Sequence, residues 1–392
     1  MMNILINGAG IAGPTLAYWL ARFGFRPTLL EVAPQLRTGG YIIDFWGLGY
    51  DVAEKMGLIP GLQAQGYLLE EVRLVDAHGR KTGGFNAQTF ARAAKGRYTT
   101  LPRSTLSRAV FEAAAGSTET IFGDELTALD VTSTNVRAFF RRTPARNFDL
   151  VIGAGGLHSR VRSLAFERRP DVTRYLGYKV AAFEIANYPH RDELVYVAHA
   201  APGRQAARFS LKNGGTLVLL VAADVDEAVP ASDADRRLYL HRRFDGMGWE
   251  CPEIMAAMDS VESLYLDNAS QVHAPAWSNG RIALVGDAAA CPSLLAGEGA
   301  GLAMAEAYVL AGELHRADGD YHRAFRTYEE MLRPFLEQKQ NAARRFASSF
   351  APKTAFGIGL RNWVTRAMSL PLVADLALGA SVRDDFRLPA YL

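Results

Sequence analysis

Apolar positions follow two rhythms along the chain. Short unbroken runs at 3–7, 27–31, 151–152 and 281–285 predict strands buried on both faces, as in a parallel sheet covered by helices. Residues 14–23 repeat with helical spacing, placing Leu16, Trp19 and Leu20 on one side, and 104–116 do the same with Leu106, Val110 and Phe111. From about 175 to 222 the pattern changes. The stretches 179–185, 193–198, 206–211 and 216–222 are rich in β-formers, and turn signals such as Lys212-Asn213-Gly214-Gly215 separate them, which predicts an antiparallel sheet. Residues 71–75 and the run from Arg80, joined at His78-Gly79, predict a hairpin. Helices are expected near 51–56 and over 233–247, 252–258, 298–314 and 321–350, and an apolar, interrupted helical tail over 355–380. That tail carries Trp363, Met368, Leu370 and Leu372. Packing over the sheet is favoured there over a membrane surface.

The first buried run leads directly into Gly8-Ala9-Gly10-Ile11-Ala12-Gly13, and a helix follows. Strand, Gly-x-Gly-x-x-Gly and helix form the context a dinucleotide fingerprint requires. The first glycine permits a tight turn, the second lets backbone approach a pyrophosphate, and the third lets helix and strand pack closely. The helix N-terminus adds free N–H groups and partial positive charge. Glu31 closes the next strand, where an acid accepts from a ribose diol and repels a 2′-phosphate, so the pattern fits FAD or NAD.

Composition narrows the partners. With 43 basic and 41 acidic residues the net charge is +2, which gives no argument for nucleic acid. A chain of 392 residues, 49% apolar, supports a large core in more than one unit. Cys251 and Cys291 are far apart and show no metal-ligand spacing, so a reducing cytoplasm is the expected location. No secretory signal and no long uncharged apolar run is visible, so no membrane span is expected.

Two later segments extend the first. Gly153-Ala154-Gly155-Gly156 is followed by Ser159, Val161 and Arg162, and Gly286-Asp287-Ala288-Ala289 closes the 281–285 run. In this order the three segments resemble the fingerprints of the group A flavoprotein monooxygenases, with the fold of para-hydroxybenzoate hydroxylase. The resemblance covers nearly the whole chain. It is nearest the tetracycline-inactivating branch, in stretches such as 17–25 and 307–314. It implies an α/β fold: a Rossmann-like FAD-binding domain of GR2 type with an inserted, mainly antiparallel substrate sheet and a C-terminal helical region. On that reading 1–68, 104–170 and 272–318 form the FAD domain, 69–103 and 171–271 the substrate domain, and 319–392 the cap.

The resemblance also assigns roles. Gly8, Gly10, Ile11, Ala12, Gly13 and Glu31 are expected to hold the ADP half of FAD, and Asp287 the ribityl chain. Gly297, Gly299 and Ala300 are expected to face the flavin ring from a helix start. Arg103, in an Arg-x-x-Leu pattern, is expected to contact the flavin side chain or pyrophosphate, Asp44 to lie near the flavin, and Arg37 to meet a nicotinamide. The chain departs from the family at Gly155, where an acid is usual, at Ala290 for His or Tyr, at Leu294 for Pro and at Glu298 for Gln.

The implied chemistry uses NADPH or NADH as transient donor and O2, activated as a flavin C4a-hydroperoxide. It hydroxylates, or oxidises in Baeyer–Villiger fashion, a phenolic or polycyclic, polyketide-like aromatic molecule. A redox-neutral or oxidase flavoenzyme of the same fold is the alternative, and a flavin-loaded binding protein a third reading. Monomer and homodimer both stay open, as does the general base. Tyr196, His199 and Arg208 lie on predicted sheet strands, and His158 beside the second segment.

Overall fold

The computed structural model describes residues 1–36, 41–166, 172–368 and 385–391. Asn3–Asn7 is the central strand of a six-stranded sheet. Arg26–Glu31 and then Glu119–Phe122 lie on one side of it, and Leu150–Gly153, Ile282–Leu284 and Ser278–Asn279 on the other. All pairs are parallel except the last. Ile4, Leu5 and Ile6 have no exposed surface, as expected for a strand covered on both faces.

The chain returns to this sheet from far along the sequence, and glycines make the returns possible. Gly8 has φ 120°, and a Cβ there would lie 2.5 Å from the Ala154 carbonyl oxygen. A Cβ on Gly13 would lie 1.9 Å from the Gly8 carbonyl oxygen, so helix Ala12–Arg22 seats against the turn only because that atom is missing. The helix Gly299–Arg316 crosses Gly47–Lys55 backbone to backbone, where a Gly49 Cβ would come within 2.2 Å of Gly301 Cα.

The second large sheet has seven strands. Their order is Tyr265–Val272, Thr173–Ala186, Gly215–Ala223, Arg204–Ser210, Val195–Ala201, Glu71–Val75 and Lys81–Asn86. Only the pairing of Val195–Ala201 with Glu71–Val75 is parallel. Strand alternation gives the two faces separate functions. One face carries Phe183, Ala206, Val218 and Leu220, which form a core with Leu240, Phe244, Ile254 and Met258 of helices Asp233–Phe244 and Cys251–Met258. The other face carries Tyr265, Leu219 and Tyr196, as the cross-strand registers require.

The elements expected from periodicity are present, with Tyr321–Phe350 a single helix. Short strands without clear alternation were not foreseen: Ile42–Trp46 paired with Tyr98–Pro102, and the three-stranded sheet of Leu126–Val131, Val136–Phe140 and Arg146–Phe148. Of the 355–380 tail, Ala355–Ala367 is a helix exposing Phe356, Leu360, Trp363 and Val364. Leu370 and Leu372 lie outside the described residues. Among the described residues no helix is long and apolar enough to cross a membrane, and no group of side chains has the makings of a metal site.

Gly13→Ala is expected to force the helix off the sheet edge, at a cost of about 1–3 kcal/mol. Chemical denaturation checks this. A variant with the wild-type midpoint would show that the packing is looser than the structure has it.

Candidate active site

The three glycine-marked segments meet at the carboxyl ends of adjacent parallel strands, the edge where open α/β sheets place their ligands. Ala154 N–H donates to the Asn7 carbonyl at 2.9 Å, and Val285 N–H to the Gly153 carbonyl at 3.0 Å. Gly286, at φ 65°, turns the chain so that Asp287 opens the next helical turn. Arg162 reaches from the second segment to the Ala288 carbonyl at 3.1 Å and so ties it to the third.

Glu31 accepts from Ala9 N–H at 2.9 Å and from Ala33 N–H at 3.0 Å. Each carboxylate oxygen keeps a further lone pair, so Glu31 braces the glycine turn and remains able to accept from a diol. Around Gly10 the backbone is open. A Cβ there would meet only Arg103 Nη2, at 3.9 Å. The Arg103 backbone N–H donates to the Tyr41 carbonyl at 3.0 Å, while its guanidinium makes no hydrogen bond or ion pair among the described residues.

An unpaired guanidinium beside an open glycine turn and a helix N-terminus suits a diphosphate in charge and geometry. Ile11 and Ala12 begin that helix. Gly297, at φ 72°, lets the chain turn into helix Gly299–Arg316, whose first residues include Ala300. A Gly299 Cβ would stand 3.6 Å from Asp287 Oδ1, so Asp287 and this helix start share one space.

Burial raises the Asp287 carboxyl above its ordinary value, and Arg103 opposes the rise. Tyr41 is pushed up to about 12 by burial, again against Arg103. Its ring centre lies 6.2 Å from that of Tyr265, whose hydroxyl burial also raises. Asp44 accepts from Tyr98 at 2.7 Å and from Thr100 at 2.6 Å, and burial lifts its carboxyl despite those bonds. A cavity of about 20 Å³ joins Asp44 to Glu298 and Gly301. Asp44 nevertheless keeps an exposed surface. Tyr41, Tyr196 and Asp287 are partly exposed. These side chains lie between the glycine turn and the seven-stranded sheet, Tyr41 beside Tyr265 of that sheet and Asp44 near Tyr196, and bound a cleft between the two.

Of the sheet residues singled out in the sequence, Tyr196 lies on the cleft face. His199 and Arg208 do not. His199 is buried with Nδ1 3.1 Å from the Val75 carbonyl oxygen, and Arg208 is held by Glu250 at 2.6 Å and Asp192 at 2.8 Å on the opposite face. His158 is exposed and meets Asp267 at 3.2 Å. Arg37 lies outside the described residues. Gly155 is exposed at the tip of the second segment.

The "FAD binding domain" family matches residues 1–338. The chain belongs to this family. A flavin-dependent monooxygenase of an unknown prokaryotic organism is 31% identical over 403 residues, covering 100% of this chain and 99% of the relative. The crystal structure of tetracycline destructase Tet(51) superposes with a TM-score of 0.85 at 30% identity, covering 100% of both chains. Klebsiella pneumoniae HpxO, complexed with FAD and uric acid, shares the fold with a TM-score of 0.79 at 20% identity over 97% of this chain and 95% of its own. This flavoprotein is accordingly an enzyme of the flavin-dependent monooxygenase class, with the para-hydroxybenzoate hydroxylase fold.

Sequence reasoning passed over one buried acid in this flavoprotein. Glu306 is 2% exposed and accepts from Gly286 N–H at 2.8 Å, and Tyr328 Oη lies 3.2 Å from it. It supports from below the turn that presents Asp287. Burial pushes its carboxyl up to about 8, with the nearby Asp287 adding to the rise. Because the folded state holds this proton beyond the ordinary carboxyl range, stability is lost as pH rises from about 4.5 to about 8. The thermal midpoint is therefore expected to fall across that interval, and Glu306→Gln, which still accepts from Gly286, to flatten the fall. An unchanged slope in the variant would assign the pH dependence to other groups.

Proposed function

We propose that this enzyme uses NADPH or NADH and O2 to add one oxygen atom to a planar phenolic or polycyclic, tetracycline-like molecule, by hydroxylation or by insertion beside a ketone. The balance is donor, proton, O2 and substrate giving oxidised donor, water and oxygenated substrate. The observation that carries the reading is the Arg103 guanidinium, unpaired among the described residues, beside the open Gly10 backbone, with the Tyr41 and Tyr265 rings 6.2 Å apart in the adjoining cleft. When bound, FAD supplies the two-electron redox chemistry and the activation of dioxygen.

The chain's own residues do the holding and excluding. The turn Gly8–Gly13 and the helix start at Ala12 take the diphosphate, with Arg103 closing over it. Glu31 accepts from the adenosine ribose, and Asp287 from the ribityl hydroxyls. Gly297, Gly299 and Ala300 would offer backbone N–H groups to the flavin ring. Asp44, whose carboxyl burial raises above its ordinary value, accepts from Tyr98 and Thr100 at the edge of the cleft. The tyrosine rings Tyr41 and Tyr265 offer flat apolar surface to a planar substrate and help to exclude water. The likeness to a tetracycline destructase supports a polycyclic substrate.

Asp287→Ala removes a charge-assisted contact worth about 1.5–3 kcal/mol. Purified variant is expected to carry less FAD than wild type in its absorbance spectrum. Full occupancy would place the ribityl chain elsewhere.

The reaction itself is tested with nicotinamide consumption and labelled oxygen. A tetracycline or phenol panel is expected to contain a compound that accelerates NADPH or NADH oxidation, with one 18O atom from 18O2 in the product. Turnover without label would favour the redox-neutral or oxidase chemistry, to which the missing acid at Gly155 also points.

A further inference from the structure

The helix Ala355–Ala367 is registered on the edge of the seven-stranded sheet by close contacts. A Cβ on Gly83 would lie 2.9 Å from the Asn362 carbonyl oxygen, so the helix backbone occupies space that any other residue would fill. Asn362 Nδ2 donates to Thr82 Oγ1 at 3.0 Å, and Gly84 N–H to Thr365 Oγ1 at 3.2 Å. Arg361 on this helix is consequently held in place.

Its partners are all neutral. Nη1 donates to Gln205 Oε1 at 2.7 Å, to the Ser349 carbonyl at 3.2 Å and to the Phe350 carbonyl at 3.1 Å. Nε and Nη2 meet Asn362 Oδ1 at 3.3 and 3.2 Å. A guanidinium has five N–H groups, so one on Nη2 is left without a partner among the described residues. No carboxylate pairs with Arg361 among those residues either. The contrast is with Arg208, on the other face of the same sheet, which has both Glu250 and Asp192. Gln205 is paired with Ala200 and so lies on the sheet face of Tyr196, which brings Arg361 to that face; burial lowers the Arg361 pKa, and its charge acts on Tyr196.

The Tyr196 hydroxyl has no hydrogen-bond partner among the described residues and keeps its proton, since burial raises its pKa. Asp44 acts on Tyr196 as well and, when ionised, would repel an anion toward Arg361. A half-buried cation fixed only by neutral groups bears an unrelieved desolvation cost, which an incoming anion relieves.

We propose that Arg361 and Tyr196 form an oxyanion subsite of the substrate cleft, which takes a carboxylate or an ionised enol or phenol oxygen of the substrate. This rests on reading the cleft as the substrate site, and it adds the charge that the substrate carries there.

The test uses FAD-loaded enzyme and a matched pair of planar probes, 3-hydroxy-2-naphthoate and its neutral amide, with binding measured by calorimetry. Wild type is expected to prefer the anion about tenfold, as for one good charge-assisted bond. Arg361→Gln is expected to abolish the preference while binding the amide as before, and Arg361→Lys to restore part of it. Tyr196→Phe, which removes one oxygen and leaves the helix contacts intact, is expected to weaken the anion about threefold and the amide not at all. Circular dichroism and FAD content check the fold of each variant. The subsite is overturned if wild type binds the anion no tighter than the amide, or if the preference survives in both Arg361→Gln and Tyr196→Phe. Anion preference in a protein that gives no 18O-labelled product with any substrate would leave the subsite standing and remove the monooxygenase reading alone.

Discussion

Close approach of backbone to backbone at one sheet edge is the constraint on which the rest depends. Three chain segments must end within a few ångströms of each other, and Cβ atoms at Gly8 or Gly13 would collide with Ala154 or with Gly8 itself. Removing those atoms brings helix N-termini, an acid and an arginine to one place. The cost is conformational, because glycines lose more freedom on folding than other residues. The covered parallel sheet offsets that cost with a core in which Ile4, Leu5, Ile6, Val151 and Ile152 are fully buried.

A second theme is charge kept without full compensation. The protein pairs its ions carefully on the outer face of the large sheet, where Arg73, Glu71, Asp192, Arg208 and Glu250 form a connected set. Toward the cleft it does the opposite. Arg103, Arg361, Asp287 and Asp44 stand with neutral partners or few partners, and burial shifts the ionisation of the last three. Unrelieved charge weakens a protein by itself and becomes favourable when a complementary ligand arrives, which is the thermodynamic outline of a binding site.

Much of this was legible in the sequence because glycine spacing and buried runs are local signals. The turn at Gly8–Gly13 and the strand ending at Gly286-Asp287 stand where the pattern put them. What was not legible depends on partners distant in the chain. Which face Tyr196, His199 and Arg208 occupy follows from strand register, and one step of register reverses every side chain. Ile42–Trp46 and Tyr98–Pro102 stabilise one another across a long connection and show no alternation of their own. Glu306 sits within the apolar stretch Leu302–Gly312 of its helix, and the turn above it explains why it is there. A charged residue on the buried side of a predicted helix was the available clue.

The central strand has a consequence for how the protein is made. Asn3–Asn7 is synthesised long before its neighbour Leu150–Gly153, and the strand beyond that, Ile282–Leu284, comes later still. Until then one apolar edge of the nascent sheet lacks its partners. Pairing across such sequence distances is slow and leaves strand edges open to wrong partners. An edge held open over such a span of synthesis is the kind of surface that chaperones shield.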